Sequence, residues 1–189
     1  TIQHDVLFGK RFSLRRESLV AHAGGGILGR PYTNSLEALD HSHALGFKLM
    51  ELDFESTRDQ ELVLLHDWEE TLEREFKVKR GKRSLQEFQS LHMPSGLTPL
   101  SVMGLFRWLE DHPSVRIVTD VKSDNLKALS WIKDHYPDYA GRFIPQIYSF
   151  EEYIPVQRMG YRDIILTLYR SSAGDDDIVR FCRGHALFA

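Results

Sequence analysis

A chain of 189 residues can bury one sizeable core, and 42% apolar with 27% charged residues is ordinary for a globular domain. A formal charge of -3 supplies no basic field of the kind nucleic-acid binders carry, and no apolar run approaches the ~18 residues of a membrane span. The single cysteine, Cys182, excludes an internal disulfide framework, a Cys-based zinc site and an iron–sulfur cluster.

That lone cysteine and the lack of a recognisable signal peptide tilt the expected location toward the cytoplasm. The chain starts at Thr1 rather than Met, which leaves the question open. Two basic groups, at Lys10, Arg11, Arg15 and Arg16 and at Lys77, Lys79, Arg80, Lys82 and Arg83, read as solvated faces. No linker or internal repeat divides the chain, so residues 1–189 are expected to form a single domain.

In chain order, "SLVAHAGG" (18–25) reads as a strand ending in a glycine loop. "NSLEALDHSHALG" (34–46) reads as a helix with Asn34 as N-cap, Glu37 closing a capping box and Gly46 ending it. "KLMELDFE" (48–55) and "ELVLLHD" (61–67) read as strands joined by a turn too short for a crossover helix, which leaves a hairpin as one reading. Residues 69–98 are charged and irregular, with a short helical piece near "SLQEFQSL". A helix over 101–112 follows, with Val102, Leu105, Phe106 and Leu109 at i, i+3, i+4 and i+7. Then come strand 116–122, helix 125–136, strand 143–149, a helical piece near 151–159, strand 163–169 and helix 175–184. Strands alternating with helices predict an α/β fold with a mainly parallel sheet.

The ionisable residues that interrupt these strands lie near the strand ends: His22, Glu51 and Asp53, His66 and Asp67, Asp120 and Lys122. In parallel α/β proteins that rim is where sites are built. Residues two apart on a strand share a face, so Glu51 and Asp53 point to one spot, as do Asp120 and Lys122. Three converging carboxylates repel one another, and a hard divalent cation with oxygen ligands, Mg²⁺ or Ca²⁺, relieves the repulsion. The two histidines then read either as ligands or as a general base and general acid. Lys122 offers a point charge to an anion such as phosphate. The other histidines, His4, His41, His43, His92, His112, His135 and His185, read as structural or surface residues.

The run "AHAGG…YTNSLEALDHSHALGFKLMELDFESTRDQELVLLHD…VTDVKSDN", with "QIYSF" (146–150), resembles the glycerophosphodiester phosphodiesterase family. These are divalent-metal enzymes on a TIM (β/α)₈ barrel, related to phosphatidylinositol-specific phospholipases C and sphingomyelinase D. The resemblance implies that His22 and His66 are the catalytic pair, Glu51, Asp53 and Asp120 the metal ligands, and Lys122 a substrate-binding residue. It implies one Mg²⁺ or Ca²⁺ and a small phosphodiester as substrate. Asp120 stands where the family usually has Glu, as in sphingomyelinase D. Ala23 replaces the Arg after the first His, and Thr33 replaces the Glu of a Glu-Asn-Thr motif. The glycines Gly24, Gly25 and Gly26 are candidates to replace that Arg through backbone N–H groups. A cyclic-phosphate-forming enzyme and a non-catalytic phospho-ligand binder are the alternatives.

Six strands, and "HALFA" (185–189) as the start of a seventh, fall short of eight, so an incomplete barrel is expected. Closure would come from further C-terminal residues or from another chain.

Overall fold

The computed structural model describes residues 19–189; His4, Ser18 and the basic group from Lys10 to Arg16 lie outside them. Six strands are present among the described residues: β1 (Val20–Ala21), β2 (Leu49–Ser56), β3 (Leu62–Leu64), β4 (Arg116–Val121), β5 (Phe143–Ile147) and β6 (Ile165–Leu166). The path β1-β2-β4-β5-β6 is parallel throughout and curls into half of a barrel.

The segment 61–67 is not a barrel strand. β3 pairs antiparallel with β2, Phe54 opposite Leu64 and Ser56 opposite Leu62, and among the described residues its other edge meets only the short bridge from Val63 to Ser101. The residues between Ser56 and Leu62 are too few to return the chain to the start of a parallel neighbour, so it folds back on itself. The ribbon extends beyond the rim and returns, and Leu65 N–H reaches Asp53 O at 3.1 Å. His66 is thus carried back to the level of the acidic pair by an antiparallel strand. "HALFA" does run beside β6: Phe188 N–H donates to Ile164 O at 2.7 Å and Leu166 N–H to Ala189 O at 3.1 Å.

The described residues form six α-helices: α1 (Leu36–Ala44), α2 (Leu85–Gln89), α3 (Val102–Asp111), α4 (Asn125–His135), α5 (Tyr153–Arg158) and α6 (Asp175–Gly184). Among the described residues no helix is long and apolar enough to cross a membrane. Period-two alternation sorts β2: Met50, Leu52 and Phe54 enter the main core, while Glu51 and Asp53 occupy the opposite face. Against that core α3 buries Val102, Leu105, Phe106 and Leu109, the stripe its sequence predicts. β3 joins two cores, Leu62 and Leu64 facing the main one and Val63 and Leu65 a smaller one. Trp68, Leu72, Phe76, Phe88, Met93 and Leu97 complete the smaller core, so the charged stretch after residue 68 has an apolar interior of its own.

Two helix starts differ from expectation. Ser35, not Asn34, caps α1, its side chain accepting from Ala38 N–H at 3.3 Å. Glu37 turns to Thr98 instead of closing a box, accepting from its N–H at 2.8 Å and its hydroxyl at 2.7 Å. The reciprocal capping box is at α2, between Ser84 and Glu87.

Candidate active site

β2 and β4 lie in a register that sets Asp53 beside Asp120, so the alternation of each strand brings Glu51, Asp53 and Asp120 to one place. Their carboxylates offer oxygens within 4.8 Å of one another, and all three residues are buried. Lys122 closes the cluster, its ammonium 2.6 Å from Asp53 Oδ1 and 2.6 Å from Asp120 Oδ2. The carboxylates therefore have a counter-charge, and it reaches across from β4 to Asp53 on β2 as well as to Asp120 on its own strand. It is one cation set among three carboxyl groups.

Each carboxylate also has neutral donors. Asn34 donates to Asp53 Oδ2 at 2.8 Å and accepts from Asp53 N–H at 3.0 Å, which holds the acid against its own backbone. Asn34 does this from a left-handed conformation (φ 49°) just before α1. Ala23 N–H donates to Glu51 Oε2 at 2.8 Å, whereas Glu51 Oε1 is buried without a hydrogen-bond partner. Tyr148, just beyond β5, donates its hydroxyl to Asp120 Oδ1, and Tyr169 lies 3.4 Å from both Asp120 oxygens. None of Asn34, Tyr148 and Tyr169 stands out by spacing; their roles emerge only when neighbouring strands are laid side by side.

The protonation states follow from these contacts. Burial, reinforced by the charges of Asp53 and Asp120 and opposed by Ala23 N–H and Lys122, pushes Glu51 up to about 8. Burial would raise Asp120 too, but hydrogen bonds from Lys122 and Tyr148 hold it below the usual carboxylate range. Burial alone would lower Lys122; the bonds to Asp120 and Asp53 outweigh it and raise it. A testable consequence concerns Glu51, neutral in the metal-free fold up to about pH 8 but ionising near 4.5 once unfolded. The unfolded chain then holds fewer protons across that window, so stability falls as pH rises through it and levels off above about 8. Urea midpoints of the metal-free protein should show this slope in wild type and lose it in Glu51→Gln. An equal slope in both would refute the assignment.

His22 borders the cluster, whereas His66 makes no contact with it among the described residues. His22 is not on a strand: β1 is two residues long, and His22 opens a single 3₁₀ turn, His22–Gly24. Its Nε2 lies 3.6 Å from Glu51 Oε2, and its ring meets Tyr32 edge-on. His66 meets Asp67, Nδ1 to Oδ2 at 2.9 Å, rather than the three clustered carboxylates. Asp67 also accepts from Glu69 N–H, Thr71 N–H and the Thr71 hydroxyl. Burial would raise the Asp67 carboxyl, but these bonds, led by that from His66, hold it well below the usual carboxylate range.

Part of the backbone in the glycine loop is committed within the fold. Ala23 N–H is committed to Glu51 and Gly25 N–H to His22 O at 2.9 Å. Gly25 is required sterically: at φ +101° an added Cβ would lie 2.0 Å from Ser42 Oγ. Gly25→Ala should therefore cost about 1–3 kcal/mol, read as a drop in denaturant midpoint. An unchanged midpoint would show that the turn adapts.

The fold and site define an α/β half-barrel carrying a buried three-carboxylate centre on its parallel strands. A family model described as the glycerophosphoryl diester phosphodiesterase family matches residues 22–166, and the chain belongs to that family. No curated protein matches it. Similar solved structures include a glycerophosphoryl diester phosphodiesterase from Parabacteroides distasonis, with TM-score 0.63 and 20% identity over 79% of this chain and 54% of that one. A glycerophosphodiester phosphodiesterase from Agrobacterium tumefaciens gives TM-score 0.62 and 18% identity over 79% and 65% of the two chains. One from Thermotoga maritima gives TM-score 0.62 and 17% identity over 85% and 67%. The chain thus spans about half to two-thirds of the length of these solved relatives.

Proposed function

We propose that the chain is a metal-dependent phosphodiesterase that hydrolyses glycerophosphodiesters or related lipid head-group phosphodiesters. The observation that carries this reading is the convergence of Glu51, Asp53 and Asp120 at one buried point, in a chain of this family. The donor set fits a hard divalent cation. It is all oxygen, Glu51 Oε1 is a buried acceptor without a partner, and Lys122 leaves most of the negative charge uncancelled. Mg²⁺ or Ca²⁺ held by the three carboxylates would supply Lewis-acid stabilisation of a bound phosphoryl group.

The chain's own residues supply the proton chemistry. His66, oriented through Nδ1 by Asp67, leaves Nε2 free to take or give a proton. His22, beside Glu51, is its partner in proton transfer. One removes the proton of the attacking water and the other protonates the departing alkoxide. Lys122 adds a fixed positive charge for the phosphoryl oxygens.

A second reading, attack by a hydroxyl of the substrate to give a cyclic phosphate, is favoured by Asp120 and Ala23 in place of the family's usual Glu and Arg. Phosphorus NMR of the products separates the two. The main test is turnover of glycerophosphodiesters with added Mg²⁺ or Ca²⁺ and its loss with a chelator. Titration calorimetry should show weaker metal binding by Asp53→Asn. Equal affinity in variant and wild type would sink the ligand assignment.

A further inference from the structure

Arg170 follows β6, where the backbone is anchored as far as Thr167, whose N–H donates to Ile147 O at 2.9 Å. A turn closed by Ser171 N–H to Leu168 O at 2.9 Å then swings Tyr169 and Arg170 over the end of β5. The guanidinium carbon lies 4.4 Å from the ring centre of Tyr148 and 5.1 Å from that of Tyr169, in the corner where the rings meet at 74°. Both of those tyrosines reach Asp120.

Among the described residues no carboxylate lies within 4.0 Å of this guanidinium and no acceptor takes a hydrogen bond from it. Arg30 and Arg74, by contrast, are both spent on Glu75. Arg170 instead borders a cavity of about 180 Å³ shared with Tyr148, Phe150, Glu151, Ser171 and Ser172. Tyr148 thus forms a wall common to this cavity and the carboxylate cluster.

Charge balance gives that cation a task. Lys122 and one divalent ion together only balance three carboxylates, so a bound phosphodiester would leave the site one positive charge short. Stacking on two rings fixes the guanidinium at low entropic cost while its N–H edges stay free, the form in which arginine grips phosphate. Ala23 provides no cation on the β1 side. We propose that Arg170 is a substrate-binding residue, gripping the phosphoryl group from the β6 side of the site where this chain lacks an arginine after its first histidine.

This rests on the phosphodiesterase reading for its substrate, but not for its ligand chemistry, and the experiment separates the two. Inorganic phosphate is titrated calorimetrically into the Mg²⁺-loaded wild type, Arg170→Gln and Arg170→Lys, and Mg²⁺ alone into each metal-free protein. Loss of a charge-assisted bidentate contact should weaken phosphate binding about 10–100-fold in Arg170→Gln and less in Arg170→Lys, with Mg²⁺ affinity unchanged. Equal phosphate affinity in wild type and Arg170→Gln, or no phosphate binding by wild type, would overturn the inference. So would a parallel loss of Mg²⁺ affinity, which would make Arg170 a support for Asp120. If wild type hydrolyses no glycerophosphodiester, the proposed activity fails while the phosphate titration still decides the role of Arg170.

Discussion

Alanine at His66 is expected to lower phosphodiester turnover about 10²–10⁴-fold while the protein stays folded. The ring is half exposed and its one recorded polar contact is with Asp67, so its removal opens no cavity in either core. Asp67 is itself fixed by Glu69 and Thr71, which makes the pair a rigid unit rather than a mobile surface ion pair. With the Nδ1 proton given to Asp67, Nε2 is the atom left to exchange protons with substrate. Asp67→Asn should therefore also lose turnover, by less than His66→Ala, with the midpoint of denaturation monitored in both. His22→Ala should match His66→Ala in size if the two act as a base and acid pair. Full activity in either alanine variant would contradict the pairing, and unfolding would make the histidine structural.

The parts of the site that depend on one strand alone could be read directly from residue order. Period two places Glu51 with Asp53 and Asp120 with Lys122, and both pairs hold in the fold. What depends on register between strands could not. Lys122 reaches Asp53 only because β4 lies beside β2 with Asp120 level with Asp53, and residue order does not specify that offset. Tyr148, Tyr169 and Arg170 arrive from β5 and β6 and carry no spacing signal toward residue 120. Asn34 illustrates a different limit. Asn and Ser are nearly equal as N-caps, so two adjacent candidates cannot be ranked by propensity. Ser35 takes the cap, and Asn34 is released to hold Asp53. The direction of β3 was settled by chain length: its short connection allows only a reversal, and five parallel strands remain where six were counted.

Lys122→Met should destabilise the metal-free protein by about 3–5 kcal/mol, the usual result of removing one partner from a buried ion pair. Its ammonium is the one cation in direct contact with the carboxylate cluster among the described residues, bridging Asp53 and Asp120 across two strands. Methionine fills similar volume, so the loss is electrostatic rather than a packing defect. Without Lys122, Asp53 Oδ1 joins Glu51 Oε1 as a buried acceptor with nothing to meet it. A divalent cation bound by the same oxygens would restore the missing positive charge. Saturating Mg²⁺ or Ca²⁺ should therefore raise the urea midpoint of Lys122→Met by more than it raises that of wild type, since binding to the native state alone stabilises it. Activity need not return with stability, because the charge that Lys122 offers to phosphate is still absent. An equal metal-induced shift in both proteins would show that the lysine and the cation do not act on the same carboxylates.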